Sequence, residues 1–220
     1  MRLILIGPPG SGKGTQAKLL SLRLGLAHIS TGDMLRDAIR HATPAGRKAQ
    51  PFVNSGQLVP DDLVNQIIAD FFRKDDRLES FVLDGYPRTL PQAMSFEQVL
   101  RQQYLGLDAV VVLNVDDEEI VKRMSGRLVC SNNACGTPYH VTFKPPRQAG
   151  ICDICGSMLV QRVDDQEQTV RKRLQIYHAG HDELLEYYRK LGLLKEVSGL
   201  GDIESIYSSI VRILKPNCVS

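Results

Sequence analysis

The sequence predicts an α/β fold, a doubly wound sheet of five parallel strands, from two observations. First, short apolar runs alternate along the chain with stretches in which apolar residues recur at helical spacing. Second, the run Leu3–Ile6 has no polar break, which is typical of a parallel strand buried on both faces. The length of 220 residues is enough for one substantial core with one or two small inserts.

The expected elements follow one another in the alternating order that such a sheet requires. Asp164 and Glu167 have the spacing of a capping pair, and Gly180 marks a point where the long helix after them can bend. The strands are expected at residues 2–6, 27–29, 81–84, 109–114 and 193–197. The helices are expected at residues 13–24, 31–41, 61–73, 90–103, 117–125, 165–189 and 202–214.

The composition excludes some classes of protein. Lys and Arg number 27 and Asp and Glu number 25, and a net charge of +2 does not indicate a dedicated nucleic-acid binder. No apolar stretch approaches the roughly 18 residues that cross a membrane. The first strand begins at once and leaves no room for a signal peptide. We therefore expect a cytoplasmic protein with no membrane or nucleic-acid partner.

The stretch GPPGSGKGTQ at residues 7–16 joins the first strand to the first helix. Its glycines let the backbone come close to a ligand, and free N–H groups at a helix start favour phosphate. Lys13 adds a positive charge, so the pattern G-x-x-x-x-G-K predicts a P-loop NTPase-like nucleotide site rather than an ordinary glycine-rich turn. The residues expected to hold the phosphates are Gly10, Ser11, Gly12, Lys13, Gly14 and Thr15.

The loop departs from the usual pattern at one position. Gly14 stands where Ser or Thr usually follows the lysine, and Thr15 comes one place later. The sequence therefore does not predict a hydroxyl bound directly to Mg²⁺ at position 14.

The stretch FVLDGYPRT at residues 81–89 predicts a second phosphate-handling element. Its strand ends in Asp84, at the edge of the sheet where α/β proteins bind ligands, and an acid there can hold Mg²⁺ or its water shell. A turn-forming Asp before glycine is the structural alternative. Arg88 favours the functional interpretation, because its planar guanidinium matches phosphate oxygens.

Residues 127–163 have no helical period and hold four cysteines, three prolines and two aromatic residues, which indicates a small inserted domain. The spacing Cys130-x4-Cys135 and Cys152-x2-Cys155, with Gly136 and Gly156 after the two pairs, is typical of a closed structural zinc site. In a cytosolic protein metal binding is favoured over the alternatives, disulfides or free thiols. His140 is expected to pack against its neighbours, and Cys218 has no predicted partner.

Five motifs together resemble bacterial adenylate kinases. They are GPPGSGKGTQ, ISTGDMLR at residues 29–36, GQLVPDDL at 56–63, LDGYPRT at 83–89 and RVDDQEQTVRKRL at 162–174. They cover nearly the whole chain in the right order. The resemblance implies Mg²⁺-dependent, reversible conversion of ATP and AMP to two ADP. The zinc-type members of the family usually carry C-x2-C in the first cysteine pair, two residues shorter than here.

The resemblance also implies a division of the chain. It consists of core segments at 1–29, 60–125 and 164–220, a helical AMP-binding insert at 30–59, and a zinc-binding lid at 126–163. Arg36 and Arg88 would hold the AMP phosphate, and Gln92 would read the adenine edge, because a primary amide both donates and accepts hydrogen bonds. The implied substrate-binding residues are Thr31, Arg36, Gln57, Leu58, Val59, Gly85, Tyr86, Pro87, Arg88, Gln92, Arg162 and Arg173.

Positioned cations are implied to carry the catalysis, because phosphoryl transfer mainly spreads negative charge over oxygens held in line. No general base is assigned, since the phosphate of AMP is already anionic. Asp33 and Asp84 would order water around Mg²⁺, and Asp164 and Asp165 would orient arginines. The implied catalytic residues are Lys13, Arg88, Arg123, Arg162 and Arg173. The implied contacts to the ATP base are Arg127, Pro138, Tyr139 and the backbone near Gly201.

Two alternatives stay open at the level of the sequence. One is a long-lid nucleoside monophosphate kinase that uses GTP, because the donor base would be read through the backbone. The other is a nonenzymatic P-loop nucleotide switch whose four-cysteine module binds a partner. A switch would not need Arg36, Arg88 and Gln92 together, so we expect an enzyme with ATP and AMP as its partners, acting as a monomer.

Overall fold

The computed structural model describes residues 1–74, 79–132 and 134–214, which leaves Cys218 outside the described residues. Five strands form a parallel sheet, as predicted, and three form a small antiparallel sheet. The strands are β1 (Arg2–Ile6), β2 (Ala27–Ser30), β3 (Phe81–Asp84), β4 (Ala109–Asn114), β5 (Arg127–Cys130), β6 (Pro138–His140), β7 (Leu159–Val160) and β8 (Leu194–Ser198). The order of the parallel sheet is β2-β3-β1-β4-β8, and that of the antiparallel sheet is β6-β5-β7.

The helices lie close to the predicted ranges, with one addition. They are α1 (Lys13–Leu24), α2 (Thr31–Arg40), α3 (Pro44–Asn54), α4 (Asp61–Lys74), α5 (Leu90–Gln102), α6 (Asp117–Ser125), α7 (Glu167–Lys190) and α8 (Ile203–Leu214). Among the described residues, no helix combines the length and the apolar character needed to cross a membrane.

Helix α3 has no counterpart among the helices expected from the sequence. It contains Gly46 and Pro51, and both residue types disfavour a helix interior. Tertiary packing outweighs this preference: a Cβ at Gly46 would lie 2.0 Å from the carbonyl oxygen of Ala38, so glycine allows α3 to pack closely on α2. The side chain of Thr43 caps the helix by accepting a hydrogen bond from Gly46 N at 3.0 Å.

The capping pair expected at Asp164 and Glu167 is wrong. The N-cap of α7 is Gln166, without a side-chain capping bond, and Asp164 lies in a preceding 3-10 turn. The carboxylate of Asp164 instead accepts a charge-assisted hydrogen bond from Arg173 Nη1 at 2.8 Å. The helix continues through Gly180 to Lys190.

The inner strands β1, β3 and β4 are buried on both faces of the parallel sheet, which explains their apolar runs. Alternate residues of β1 enter two different clusters: Ile4 and Ile6 pack with residues of α2–α5 and α7, whereas Leu3 and Leu5 pack with residues of α1 and α8. A strand that supplies two cores has no polar face, so its sequence shows no alternation.

The register of the sheet brings three strand ends to one place. Asp84, the last residue of β3, pairs with Leu5 of β1 on one side and with Ser30 of β2 on the other. The glycine-rich loop leaves β1 one residue after Ile6, and α2 begins immediately after Ser30. The loop, Asp84 and the start of α2 therefore lie side by side at the carboxyl edge of the sheet.

Candidate functional site

A cleft of about 1460 Å³ runs along this edge of the sheet. A single small ligand usually occupies a pocket of about 300–1,000 Å³, so this cleft has room for two ligands. All the predicted nucleotide-binding, substrate-binding, catalytic and magnesium residues line it except Tyr86. Tyr86 is 1 % exposed, packs edge-on against Phe96 in the core, and donates a hydrogen bond to Asn65 Oδ1 at 2.7 Å.

The glycine-rich loop is packed on one side and open on the other. A Cβ at Gly10, where φ is 80°, would lie 2.7 Å from Met124 Cγ of α6, so the backbone there lies too close for any side chain. A Cβ at Gly12, the N-cap of α1 with φ 95°, would meet nothing within 4 Å. The start of α1 thus presents free N–H groups to open space, which favours a bound anion.

Lys13 is held inside the loop. Its Nζ donates to the carbonyl oxygens of Gly7 and Pro8, both at 2.7 Å, and to Ser11 Oγ at 3.3 Å. Burial lowers the pKa of Lys13 to about 7, an effect that Asp84 opposes and that nearby arginines strengthen. Among the described residues no carboxylate lies within 4.0 Å of this ammonium group, and Asp84 offsets the effect of burial only in part, so a ligand phosphate would compensate its charge.

A steric contact favours glycine over Ser or Thr at position 14. A Cβ there would lie 3.2 Å from Asp84 Oδ2, which is tighter than ordinary van der Waals contact. The carboxylate of Asp84 would have to shift by a few tenths of an ångström to admit a Ser or Thr side chain at this position.

Two guanidinium groups stand in the cleft without a carboxylate within 4.0 Å among the residues that the structure describes, those of Arg88 and Arg162. Arg88 Nε donates to the carbonyl oxygen of Gly85 at 2.7 Å. Loss of surrounding water, together with neighbouring arginines, lowers the pKa of each to about 10, so both remain charged at neutral pH. Such groups favour an anionic ligand.

Two other arginines are anchored by the consecutive acids before α7. Arg127 Nε donates to Asp165 Oδ2 at 2.7 Å, and Asp165 is completely buried. Arg173 Nη1 donates to Asp164 Oδ2 at 2.8 Å and to the carbonyl oxygen of Asp164 at 3.2 Å. Each guanidinium keeps further N–H groups for a ligand, because a guanidinium has five donors. The expectation that Asp164 and Asp165 orient arginines agrees with these contacts.

Arg123 and Arg36 are each positioned by an acid on their own helix. Arg123 Nε donates to Glu119 Oε1 at 2.7 Å, and its Nη1 donates to Gly199 O at 3.0 Å. Arg36 Nη2 donates to Asp33 Oδ1 at 2.6 Å, so Asp33 is engaged with an arginine in this state. The sequence analysis did not identify Glu119, although its i,i+4 spacing from Arg123 is a recognisable signal.

Comparison with known proteins agrees with this arrangement. The adenylate kinase family model matches residues 5–193. The chain is 46 % identical over 214 residues to the adenylate kinase of Caldicellulosiruptor saccharolyticus, covering 97 % of this chain and 99 % of that one. It is 48 % identical to that of Citrifermentans bemidjiense, covering 98 % and 100 %, and 50 % identical to that of Trichlorobacter lovleyi, covering 97 % and 99 %.

The chain belongs to the adenylate kinase family. Its members are phosphotransferases of the nucleoside monophosphate kinase class, and a nonenzymatic switch is not favoured. Membership also implies Mg²⁺ with the nucleotide. The donor set fits this ion, since Asp84 provides carboxylate oxygens, the ligands that Mg²⁺ prefers, at the strand edge beside the phosphate loop.

The four predicted cysteines come together beside the small antiparallel sheet, with Cys130 at the end of β5 and the other three in turns or loops. Their Sγ atoms all lie within 4.8 Å of one another, with 3.3 Å between Cys130 and Cys155 and 3.7 Å between Cys135 and Cys152. Tetrahedral Zn²⁺ with bonds of about 2.3 Å would place its sulfur ligands about 3.8 Å apart. The cluster therefore has the size and the soft donors that fit zinc.

Tyr139 and His140 take structural positions in this sheet. Tyr139 Oη lies 3.5 Å from Cys152 Sγ and accepts a hydrogen bond from Asp153 N at 2.8 Å, while the tyrosine also lines the cleft. His140 Nδ1 accepts hydrogen bonds from Thr142 N and Phe143 N at 3.0 and 3.1 Å. As expected, this histidine packs against its neighbours rather than joining the cysteines.

We expect the binding of ATP above neutral pH to take up a proton. In the free protein Lys13 is mostly neutral above its pKa of about 7, and bound phosphate would restore the charged form. At pH about 8.5 ATP itself is fully ionised, so close to one proton should be taken up, and affinity should fall as pH rises through this range. Titration calorimetry in two buffers of different ionisation enthalpy measures the uptake.

Lys13→Met provides the control, because the variant lacks the titrating group and its binding heat should not depend on the buffer. Below pH about 6 the free lysine is already charged, so the uptake by the wild-type protein should vanish. Equal heats for the wild-type protein in both buffers at pH about 8.5 would contradict the expectation.

Proposed function

We propose that the chain catalyses the reversible, Mg²⁺-dependent transfer of a phosphoryl group from ATP to AMP, giving two ADP. The observation that carries this proposal is the set of guanidinium groups and one ammonium group around Asp84 in a cleft large enough for two nucleotides. Family membership supports it, because the relatives are named adenylate kinase.

One end of the cleft suits ATP, and the other end suits AMP. The glycine-rich loop and Lys13 would hold the phosphates of ATP. The adenine base of ATP would lie near Arg127, Pro138, Tyr139 and Gly201. On the other side, Thr31, Gln57, Leu58, Val59, Gly85 and Pro87 would enclose AMP. Thr31 is 2 % exposed, and its Oγ1 donates a hydrogen bond to the carbonyl oxygen of Asp84 at 3.3 Å. This bond connects the AMP-binding end of the cleft to the carboxyl end of β3.

The reaction would proceed in the space between these ends. Lys13, Arg88, Arg123, Arg162 and Arg173 would stabilise the negative charge that spreads over the transferred phosphoryl group. Asp84, with Asp33, would hold the water shell of Mg²⁺, which neutralises phosphate charge when bound. We assign no general base, because the attacking phosphate oxygen of AMP is already anionic. The acids beside the arginines fix their positions before substrates bind, and such preorganisation favours the transition state.

We further propose that residues 126–163 form a lid and residues 30–59 an AMP-binding unit on a core formed by the remaining residues. Cys130, Cys135, Cys152 and Cys155 would hold a structural Zn²⁺ that stabilises the lid without taking part in the reaction. We also propose that the protein acts as a monomer. A cytoplasmic location suits ATP and AMP, which are cytoplasmic metabolites.

Zinc content and thermal stability should fall together when a cysteine of the cluster is replaced. In Cys155→Ser we expect a lower melting temperature and loss of most of the metal, because a structural site requires all four ligands. Phosphotransfer at low temperature should remain detectable. Metal analysis and thermal melting of protein purified without chelator measure both quantities.

Cys218→Ser, which changes the remaining cysteine of the chain, should keep its zinc and its melting temperature. Less than about a tenth of an equivalent of zinc in the wild-type protein, with a melting temperature unchanged by chelator, would show that the lid folds without zinc.

Loss of the Lys13 charge should abolish most turnover and leave the fold intact. Lys13→Met removes a buried ammonium group whose pKa is lowered to about 7, so the melting temperature at neutral pH should not fall. The loss of a cation at the transferred phosphoryl group should reduce kcat by about a thousandfold or more. The exposed Lys195 of β8 provides the control, as Lys195→Met should keep wild-type kcat. A Lys13→Met variant with a tenth of wild-type activity would contradict the assigned role.

The acceptor preference tests the assignment of AMP. With ATP as donor, we expect kcat/KM for AMP to exceed that for GMP, CMP or UMP by at least about tenfold, since a mispaired buried amide at Gln92 costs about 1–3 kcal/mol. Diphosphate formation from each acceptor, measured by chromatography, gives the ratios. Comparable turnover of UMP would contradict the assignment.

A further inference from the structure

We propose that Asp61 is a positioning residue for acceptor selectivity: it fixes the orientation of the Gln92 amide so that the cleft reads adenine and not guanine. This inference rests on the proposed function, in which Gln92 faces the base of the acceptor. Gln92 lies in the first turn of α5, is 2 % exposed and lines the cleft, so little freedom remains for its side chain.

The amide of Gln92 is bonded at both ends. Its Oε1 accepts a hydrogen bond from Arg88 N at 2.7 Å, and its Nε2 donates to Asp61 Oδ1 at 2.7 Å. The oxygen and nitrogen ends of an amide have nearly the same shape, so only the partners decide which way it points. A backbone N–H can only donate, and an ionised carboxylate can only accept. Both partners therefore select the same orientation.

Asp61 is itself held in place. Its second oxygen, Oδ2, accepts a hydrogen bond from Thr89 Oγ1 at 2.8 Å, and Thr89 Oγ1 in turn accepts one from Gln92 N at 3.2 Å. Asp61 is the first residue of α4, so its backbone is also fixed. Because both carboxylate oxygens act as acceptors, asparagine at this position could satisfy only one of the two donors.

The bonds within the protein leave part of the amide available to a ligand. Oε1 keeps one lone pair and Nε2 keeps one hydrogen, since each has used one of two. Adenine presents an amino donor at N6 beside an acceptor at N1, whereas guanine presents an acceptor at O6 beside a donor at N1. The amide in its fixed orientation complements one of these two patterns, and a flipped amide complements the other. The orientation that Asp61 and the Arg88 N–H impose together is therefore a choice between the two purines.

The test compares the selectivity of Asp61→Asn with that of the wild-type enzyme. AMP and GMP compete in one reaction with ATP. Each transfer also releases one ADP from ATP, so selectivity is read from the ratio of AMP consumed to GDP formed, which does not depend on how much enzyme is folded. We expect the AMP-to-GMP ratio of kcat/KM to fall about tenfold, with a higher KM for AMP and an unchanged KM for ATP. Asp62→Asn is the matched control: it makes the same charge change at the exposed next residue and should keep the wild-type ratio.

A double-mutant cycle identifies the route of the effect. In a Gln92→Ala background, Asp61→Asn should leave the AMP-to-GMP ratio unchanged, because the amide that it orients is gone. An unchanged ratio in Asp61→Asn alone, or an equal fall in the Gln92→Ala background, would overturn the proposal. A wild-type enzyme that forms no ADP from AMP would instead overturn the proposed function, and the inference with it.

Discussion

The crowding of positive charge at one edge of the sheet is the constraint on which the rest of the structure depends. Lys13 and six arginines line one cleft, and loss of water lowers the pKa values of Lys13 to about 7 and of Arg88 and Arg162 to about 10. Holding these charges together costs folding free energy, which the nucleotide phosphates would offset on binding. The site is thus complementary to a highly anionic ligand before any ligand arrives.

The fold meets this constraint by anchoring the cations through short, local connections. Arg127 and Arg173 are held by the consecutive Asp165 and Asp164, so one turn before α7 fixes two charges from different elements. Asp84 lies at the strand end where the register of β1, β2 and β3 converges. The two apolar layers on either side of the sheet keep this edge rigid, because alternate residues of each inner strand enter each layer.

The sequence predicted those features that depend on local pattern or on motif spacing. Short strand-like runs between helical stretches identified the five parallel strands, and cysteine spacing identified the four thiols that the structure brings together. Helix α3 was not predicted because it contains Gly46, which disfavours a helix. Gly46 is required by the close contact with Ala38, and helix propensity does not report such a contact. The capping pair at Asp164 was wrong because its carboxylate is bound by Arg173, nine residues further along the chain, and does not cap α7.

The sequence could not predict the hydrogen bonds of the Gln92 amide, for a different reason. Thr89-x-x-Gln92 has the spacing of a capping box, a signal that would have placed Thr89 at the start of α5 but not shown where the glutamine amide points. Asp61 lies 31 residues away, at the start of another helix, and its bond to Gln92 exists only because α4 and α5 pack together. A residue that binds a ligand can be recognised from its motif. A residue that orients such a side chain from a distant part of the sequence can be recognised only once the chain is folded.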